Sequence, residues 1–330
     1  MEAIDAFHSK NLEKNSQKPG FETWYSVIID TKEKKSVWLK YNTFIPLKIE
    51  NYSPATVVWA SFFDYKNPEN NFCYANSSFL ASLSVLDNIY NFSNGTITVD
   101  KFNGFFNTDK EVEWEFNFEH RNKPLKYAYG LLETFRILKA NAFLVSPFGF
   151  ASGYFKINDK KFNFKNSQST MIHLSGTSLI EDMIWVYAPQ FDGDLEGWQL
   201  EIISFRQGIF FPRYTFVTLF DGQNLFVNNI VEAMANITEL NYPQVEFDLR
   251  IKDYKLKVKA NFSEQVNRLI YKNPDETNRY VIRSDISSLT IDVNSLACKR
   301  NLKIENSCTI EIISNTPYDK ENYFDPFDNE

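Results

Sequence analysis

Apolar and polar residues alternate with a period of two along almost the whole chain, and that pattern restricts the fold to one built from β-strands. In "EVEWEFNFEH" (111–120), Val112, Trp114, Phe116 and Phe118 share one face. "QVEFDLRIKDYKLKVKANF" (244–262) puts Val245, Phe247, Leu249 and Ile251 on one face and turns at Lys252-Asp253. Similar stretches run through "ETWYSVIID", "KSVWLKYNTF", "ATVVWASFFD" and "NGTITVDKFNGFF". Others follow in "GYFKINDKKFNFKN", "RYTFVTLFDGQNLFV", "RYVIRSDISSLTIDV" and "CTIEIIS". Asn-Gly, Asn-Asp and Asp-Gly pairs between them mark tight hairpin turns. Aromatic residues make up 16% of the chain, and they suit half-buried pleated surfaces better than helices. Two segments allow a helix: 230–240, and 129–143, which also reads as a strand.

The strands are too many for one eight-stranded unit, and 330 residues exceed a typical single domain. The sequence therefore predicts an all-β protein of two antiparallel barrel or sandwich domains packed side by side. Alternation lapses between 227 and 241, which puts the boundary at 230/231: an N-terminal domain over 1–230 and a C-terminal one over 231–330.

The net charge of −7, with no long Lys/Arg block, argues against nucleic acid as a partner. Residues 1–20 hold no apolar core of signal-peptide length, and the longest apolar run, 208–220, is broken by Pro212 and Arg213. A cytoplasmic protein without stable membrane insertion is expected, and the Asn-x-Ser/Thr triplets then follow from its high Asn content. Cys73, Cys298 and Cys308 are odd in number and suit a reducing compartment, although a Cys298–Cys308 bridge is conceivable. His8 and His120 lack further ligands at metal spacing, so no metal is expected. Phosphate-loop, dinucleotide and nucleophile-elbow motifs are absent, so no cofactor is expected either.

The run "FETWYSVIIDTKEKKSVWLKYNTFIP", followed by "VVWASFFD", resembles the opening of the AttH / carotenoid 1,2-hydratase (hydroxyneurosporene synthase) family. The likeness continues through "SGYFKINDKKFNFKNSQSTMIHLSGTSLIEDMIWVYAPQFDG" and touches most of the chain. It implies two lipocalin-like β domains and a substrate drawn from apolar polyenes or isoprenoids, as for hydratases, tocopherol-cyclase-like enzymes and fungal pericyclases. Two departures stand out. Where relatives have His-x-Trp-Gly, this chain has His173-Leu174-Ser175-Gly176, and the second aromatic strand reads Trp185-Val186-Tyr187.

Hydrating or cyclising an alkene calls for a neutral buried acid, with aromatic faces to stabilise the cation formed. Glu22 alternates with Trp24 and so shares its face, which is either the wall of a cavity or an outer, solvated surface. His173 sits on a strand face with Met171 and Ser175, as a donor to a ligand carbonyl or as a core histidine. Glu181, on the side of Met183 and Trp185, is the second candidate acid. Trp38, Trp59, Trp185 and Tyr187 are candidate ligand-binding walls, or core. Arg206 and Arg213 either clamp an anionic head group or form structural ion pairs. The expected function is a cofactor-independent hydratase, cyclase or isomerase acting on a lipophilic small molecule. The alternative is a non-catalytic carrier, and the aromatic-rich surface allows a homodimer.

Overall fold

The computed structural model describes residues 1–9, 18–48, 52–126, 139–193, 197–208, 210–295 and 299–328. The chain is all-β, as the alternation predicts, with two large curled antiparallel sheets. The first holds β1 (Gly20–Asp30), β2 (Lys35–Ile45), β3 (Ala55–Asp64), β4 (Phe72–Phe79), β5 (Ser84–Leu86) and β6 (Ile89–Phe92). It continues with β7 (Gly95–Ile97), β8 (Lys101–Asn107), β9 (Glu111–Glu119), β10 (Leu125–Lys126), β11 (Ala140–Ile157) and β12 (Lys160–Gly176). The second holds β13 (Asp182–Ala188), β14 (Trp198–Arg206), β15 (Tyr214–Asp221), β16 (Leu225–Val227) and β17 (Ile237–Asn241). Then come β18 (Gln244–Ile251), β19 (Tyr254–Asn261), β20 (Asn267–Lys272), β21 (Asn278–Asn294) and β22 (Lys299–Ser314). Two short helices accompany them among the described residues, α1 (Ala3–Phe7) and α2 (Ile230–Ala235).

The two sheets repeat one topology. Four strands meander outward, the rest return from the opposite edge, and a long final hairpin brings the last strand beside the first: β12 on β1, and β22 on β13. The predicted turns close these hairpins, with Asn158 (φ 51°) between β11 and β12 and Lys252 (φ 51°) between β18 and β19. Within the long hairpin, Gly153 lies at a register shift of β11 against β12, and a Cβ there would sit 1.9 Å from the Glu115 carbonyl oxygen on β9. Gly153→Ala should therefore destabilise the protein by about 1–3 kcal/mol in urea unfolding, because the contact is backbone and the ladder must spread to admit a methyl.

The sequence-based boundary needs correction. The chain passes from one sheet to the other between Gly176 and Asp182, so β13 to β16, expected in the first domain, belong to the second sheet. The lapse of alternation near 230 is α2, capped by Asn229 and Glu232 in a capping box, which connects the two edge strands of that same sheet. The true crossover leaves little trace because its loop carries the apolar pair Leu179 and Ile180, packed against the inter-sheet core. The helix allowed at 230–240 ends at Ala235, and β17 follows. Of the other candidate helix, residues 129–138 lie outside the described residues and Ala140 to Phe143 open β11.

Three cores result. Each curled sheet encloses its own. A third lies where the outer faces of β1, β2, β3 and β12 meet those of β13, β14, β20, β21 and β22. Strands at this contact are buried on both faces, β1 from Gly20 to Ile29 without a break, whereas β9 and β18 keep a solvated face and alternate cleanly.

Candidate active site between the sheets

Two cross-strand rows face each other across the third core. On the first sheet, Tyr25 of β1, Lys40 of β2 and Trp59 of β3 are register partners in one row. On the second, Ile203 of β14, Trp185 of β13, Glu311 of β22 and Arg283 of β21 form the other. Tyr25 meets Trp185 edge-on at 5.6 Å between ring centroids, and the Arg283 guanidinium lies over Trp38 at 4.6 Å. Between the rows is a cavity of about 90 Å³, walled among others by Thr23, Tyr25, Trp38, Lys40, Trp185, Phe205 and Glu311. A smaller cavity of about 20 Å³ shares Lys40, Leu179 and Tyr271 with it and adds Trp59 and Phe327. The lining is overwhelmingly apolar, with one amine and one carboxyl in the wall of the larger cavity.

Lys40 is the unusual group. It is only 8% exposed, and its amine lies 3.1 Å from the centroid of the Tyr271 ring. Burial lowers its pKa from 10.5 to about 7; Glu311 opposes that fall and Arg283 adds to it. The phenols of Tyr25 and Tyr271 are raised well above 10.0, chiefly by burial, and stay neutral. Arg283, itself fully buried, donates to both Asp285 oxygens at 2.7 and 3.2 Å and to Glu311. Burial alone would lower its pKa, but Asp285 and Glu311 hold it above its ordinary value. Thr309 adds a hydrogen bond to Asp285 at 2.7 Å, so the cluster is internally satisfied. What this arrangement can do chemically is move one proton, on and off Lys40, beside an apolar guest.

The candidates from sequence divide cleanly. Trp38 and Trp185 line the larger cavity, and Trp59 the smaller. Tyr187 is fully buried, stacked on Trp185 and Phe148, and is not among the lining residues. Arg206 and Arg213 both pair with Asp182, and neither lines the inter-sheet cavities. Glu181 precedes β13, outside its alternation, and accepts from Asn315 at 3.5 Å rather than facing the cavity.

Glu22, Trp24 and His173 lie on the opposite face of β1 and β12, inside the first sheet. Alternation correctly joined Glu22 to Trp24, but their common face is filled by α1 and lines neither inter-sheet cavity. The His173 ring stacks on Trp24 at 5.0 Å and 3°. Its Nδ1 donates to the Ala6 carbonyl at 2.8 Å, and its Nε2 meets Glu22 Oε1 at 2.8 Å. Since the carbonyl only accepts, Nδ1 carries a hydrogen, and the Nε2···Oε1 bond then needs one further proton shared by Glu22 and His173. Ser9 donates to the other Glu22 oxygen at 2.6 Å. Glu22→Gln should consequently leave turnover within about threefold of the native value, because the amide can still donate to a neutral His173 while the inter-sheet cavity is untouched. Kinetics of purified Glu22→Gln check this, and a loss of about 10²-fold would return the chemistry to the first sheet.

Lys40, Tyr271, Arg283 and Glu311 were not singled out as site residues. A signal existed: "VWLKY", "YVIRSDIS" and "CTIEIIS" each set a charge within an otherwise apolar strand. Such charges are seldom buried unless paired or functional. Among the described residues no group of three or more His, Cys, Asp or Glu is placed to hold a metal, and no helix is long and apolar enough to cross a membrane. Cys73 and Cys308 are free thiols, both raised by burial; Cys298, and with it the conceivable bridge, lies outside the described residues.

Two curled antiparallel sheets packed face to face, with a cavity at their contact, define a double lipocalin-like protein. No family model matches the chain, and no curated protein matches it in sequence. Solved structures do. An AttH-like protein from Nitrosomonas europaea superposes with a TM-score of 0.59 at 8% identity, over 93% of this chain and 96% of that one. CghA, crystallised with Sch210972, gives 0.58 at 7% identity over 90% and 89%. Kievitone hydratase from Nectria haematococca gives 0.52 at 13% identity over 91% of each chain. The chain thus has the double lipocalin-like fold of the AttH-like proteins.

Proposed function

We propose that the protein is a hydratase-like enzyme that works without a cofactor on an apolar polyene or isoprenoid-type substrate in the cavity between its sheets. The observation that carries this reading is Lys40, an amine with a pKa of about 7 in an apolar, aromatic-walled cavity. At neutral pH such a group is populated both as acid and as base, which suits proton transfer in either direction. An ammonium is too weak an acid to protonate an isolated alkene, so the substrate class narrows to a double bond polarised by conjugation to a carbonyl. The neutral amine takes a proton from water as oxygen attacks the electron-poor carbon, and the ammonium returns it to the neighbouring carbon. Tyr25, Trp38, Trp185 and Tyr271 exclude bulk water, and the Tyr271 ring face lies 3.1 Å from the amine, where positive charge develops as Lys40 takes the proton.

Kievitone hydratase, similar in fold, carries a hydration in its name, and CghA was crystallised with a small molecule; both agree with this reading. A cavity of about 90 Å³ is several-fold below the ~300–1,000 Å³ of pockets for drug-sized ligands. A whole isoprenoid chain would enter by displacing Leu179 and Ile180, the wall residues contributed by the crossover loop rather than by a strand. The test is incubation with pseudoionone, a conjugated isoprenoid ketone, in isotope-labelled water. Labelled oxygen in a new hydroxyl group on the carbon β to the carbonyl, lost with Lys40→Met, supports the proposal; label in the carbonyl alone is spontaneous exchange and counts against it. Binding without conversion by either protein supports a carrier instead.

A further inference from the structure

Two lysines border the cavities between the sheets, and they differ in what surrounds the amine. Lys272 is tied to Asp325 at 3.1 Å, with its side chain 5% exposed. Burial alone would lower its pKa, but Asp325 and Tyr52 hold it above its ordinary value, so it stays an ammonium. Lys40 has no hydrogen-bond or ion-pair partner among the described residues. Its amine instead meets ring faces, Tyr271 at 3.1 Å and Trp59 at 5.7 Å, and its side chain lines the larger cavity. Once it loses its proton, near neutral pH, its lone pair is therefore committed to no donor. A desolvated amine of this kind in an apolar pocket is a nucleophile as well as a base. The cavity sets what it can attack. A void of ~150 Å³ admits benzene, so one of about 90 Å³ admits a molecule of roughly three or four carbons without moving a wall.

We propose that Lys40 is a covalent binding site for short-chain aldehydes, which it captures as an imine inside the cavity between the sheets. The nitrogen lone pair attacks the carbonyl carbon and a C–N bond forms, while the C=O π pair moves to oxygen. That oxygen takes the proton the nitrogen sheds, which gives a neutral carbinolamine. The nitrogen lone pair then forms the second C–N bond, the C–O bond breaks, and the hydroxyl leaves as water with the remaining N–H proton. One amine and one aldehyde become one imine and one water, with no oxidant or reductant. Thr23 and Tyr25, in the same wall, carry hydroxyls that can relay these protons, and burial keeps the Tyr25 phenol neutral. Glu311, the carboxyl of that wall, is engaged by Arg283 and leaves the amine free. The apolar walls that exclude bulk water also slow hydrolysis of the imine. Capture uses the amine and cavity described above but does not depend on hydration. A protein that fails to hydrate pseudoionone can still form the imine, and one that forms no imine can still transfer a proton.

Reductive trapping tests the capture. The native full-length protein is incubated at pH ~7 with propanal and cyanoborohydride, then digested and mapped by mass spectrometry. Lys40 should gain the mass of the aldehyde less one oxygen atom, at a rate about tenfold or more above that of Lys272 or any exposed lysine, which are almost wholly protonated at this pH. The preference should shrink as pH rises from about 7 toward 10.5, because the exposed lysines then lose their protons in turn while Lys40 has already lost its own. It should vanish in the urea-unfolded chain, and Lys40→Met should leave the labelling of the other lysines unchanged. A folded protein in which Lys40 stays unlabelled, or reacts no faster than the exposed lysines, overturns the proposal. An equal preference for Lys40 in the unfolded chain also overturns it, since the local sequence rather than the cavity would then set the reactivity.

Discussion

Lys40→Met is expected to abolish most turnover, by about 10²-fold or more, while making the protein more stable near neutral pH. The two effects have one cause. Folding lowers the Lys40 pKa from 10.5 to about 7, so between those values the unfolded chain holds a proton that the folded chain has released. Stability therefore rises with pH across that window; the full penalty is present below about 7 and gone above 10.5. At ~1.4 kcal/mol per pKa unit the penalty is on the order of 4–5 kcal/mol. Methionine removes the charge and keeps the bulk, so Lys40→Met should gain several kcal/mol, up to about that figure, at pH ~6 and little at pH ~10.5. Urea unfolding of both proteins at the two pH values measures this. A variant that is less stable at pH ~6 would mean that the ammonium is well solvated there, contrary to its burial.

Arg283→Met should act in the opposite direction, with a loss of about 3–5 kcal/mol in urea unfolding at neutral pH. The guanidinium is the buried counter-ion of both Asp285 and Glu311, and it also spans the sheet contact to rest on Trp38. Its removal leaves Asp285 without its cation partner and Glu311 with only the partly protonated Lys40, and that desolvation, rather than the lost attraction, sets the size of the effect. The triple variant Arg283→Met, Asp285→Asn, Glu311→Gln should recover at least half of the loss. If it is no more stable than Arg283→Met alone, packing of the guanidinium on Trp38 matters more than charge. Because Glu311 also raises the Lys40 pKa, Glu311→Gln by itself should shift the pH profile of turnover downward.

Fold and site were legible to different depths. Single-faced strands such as β9 and β18 could be read directly, because one solvated face enforces polar residues at every second position. The sheet contact was obscured by the same physics, since β1, β2 and β13 bury both faces and so lose the alternation that would say which side meets which core. Glu22 illustrates the consequence: its pairing with Trp24 was readable, but the occupation of that face by a helix seventeen residues upstream of Trp24 was not. Trp38, Trp59 and Trp185 could be read as wall or core, and they are buried members of the third core that also border the inter-sheet cavities. Lys40 was visible as the partner of Trp38 on its face, and only its burial distinguishes it from an ordinary surface lysine. The domain boundary failed because α2 interrupts a sheet, whereas the real crossover continues the apolar pattern through Leu179 and Ile180.

NMR titration of the Lys40 side-chain nitrogen shows whether this group exchanges its proton near neutral pH inside the cavity. With Lys40→Met to assign the signal, the expected midpoint is about 7, rising toward the ordinary value in a Tyr25→Ala variant that admits water to the wall. A midpoint in the native protein near the ordinary 10.5 would contradict it, because Lys40 would then stay an ammonium throughout the neutral range and have no proton to accept.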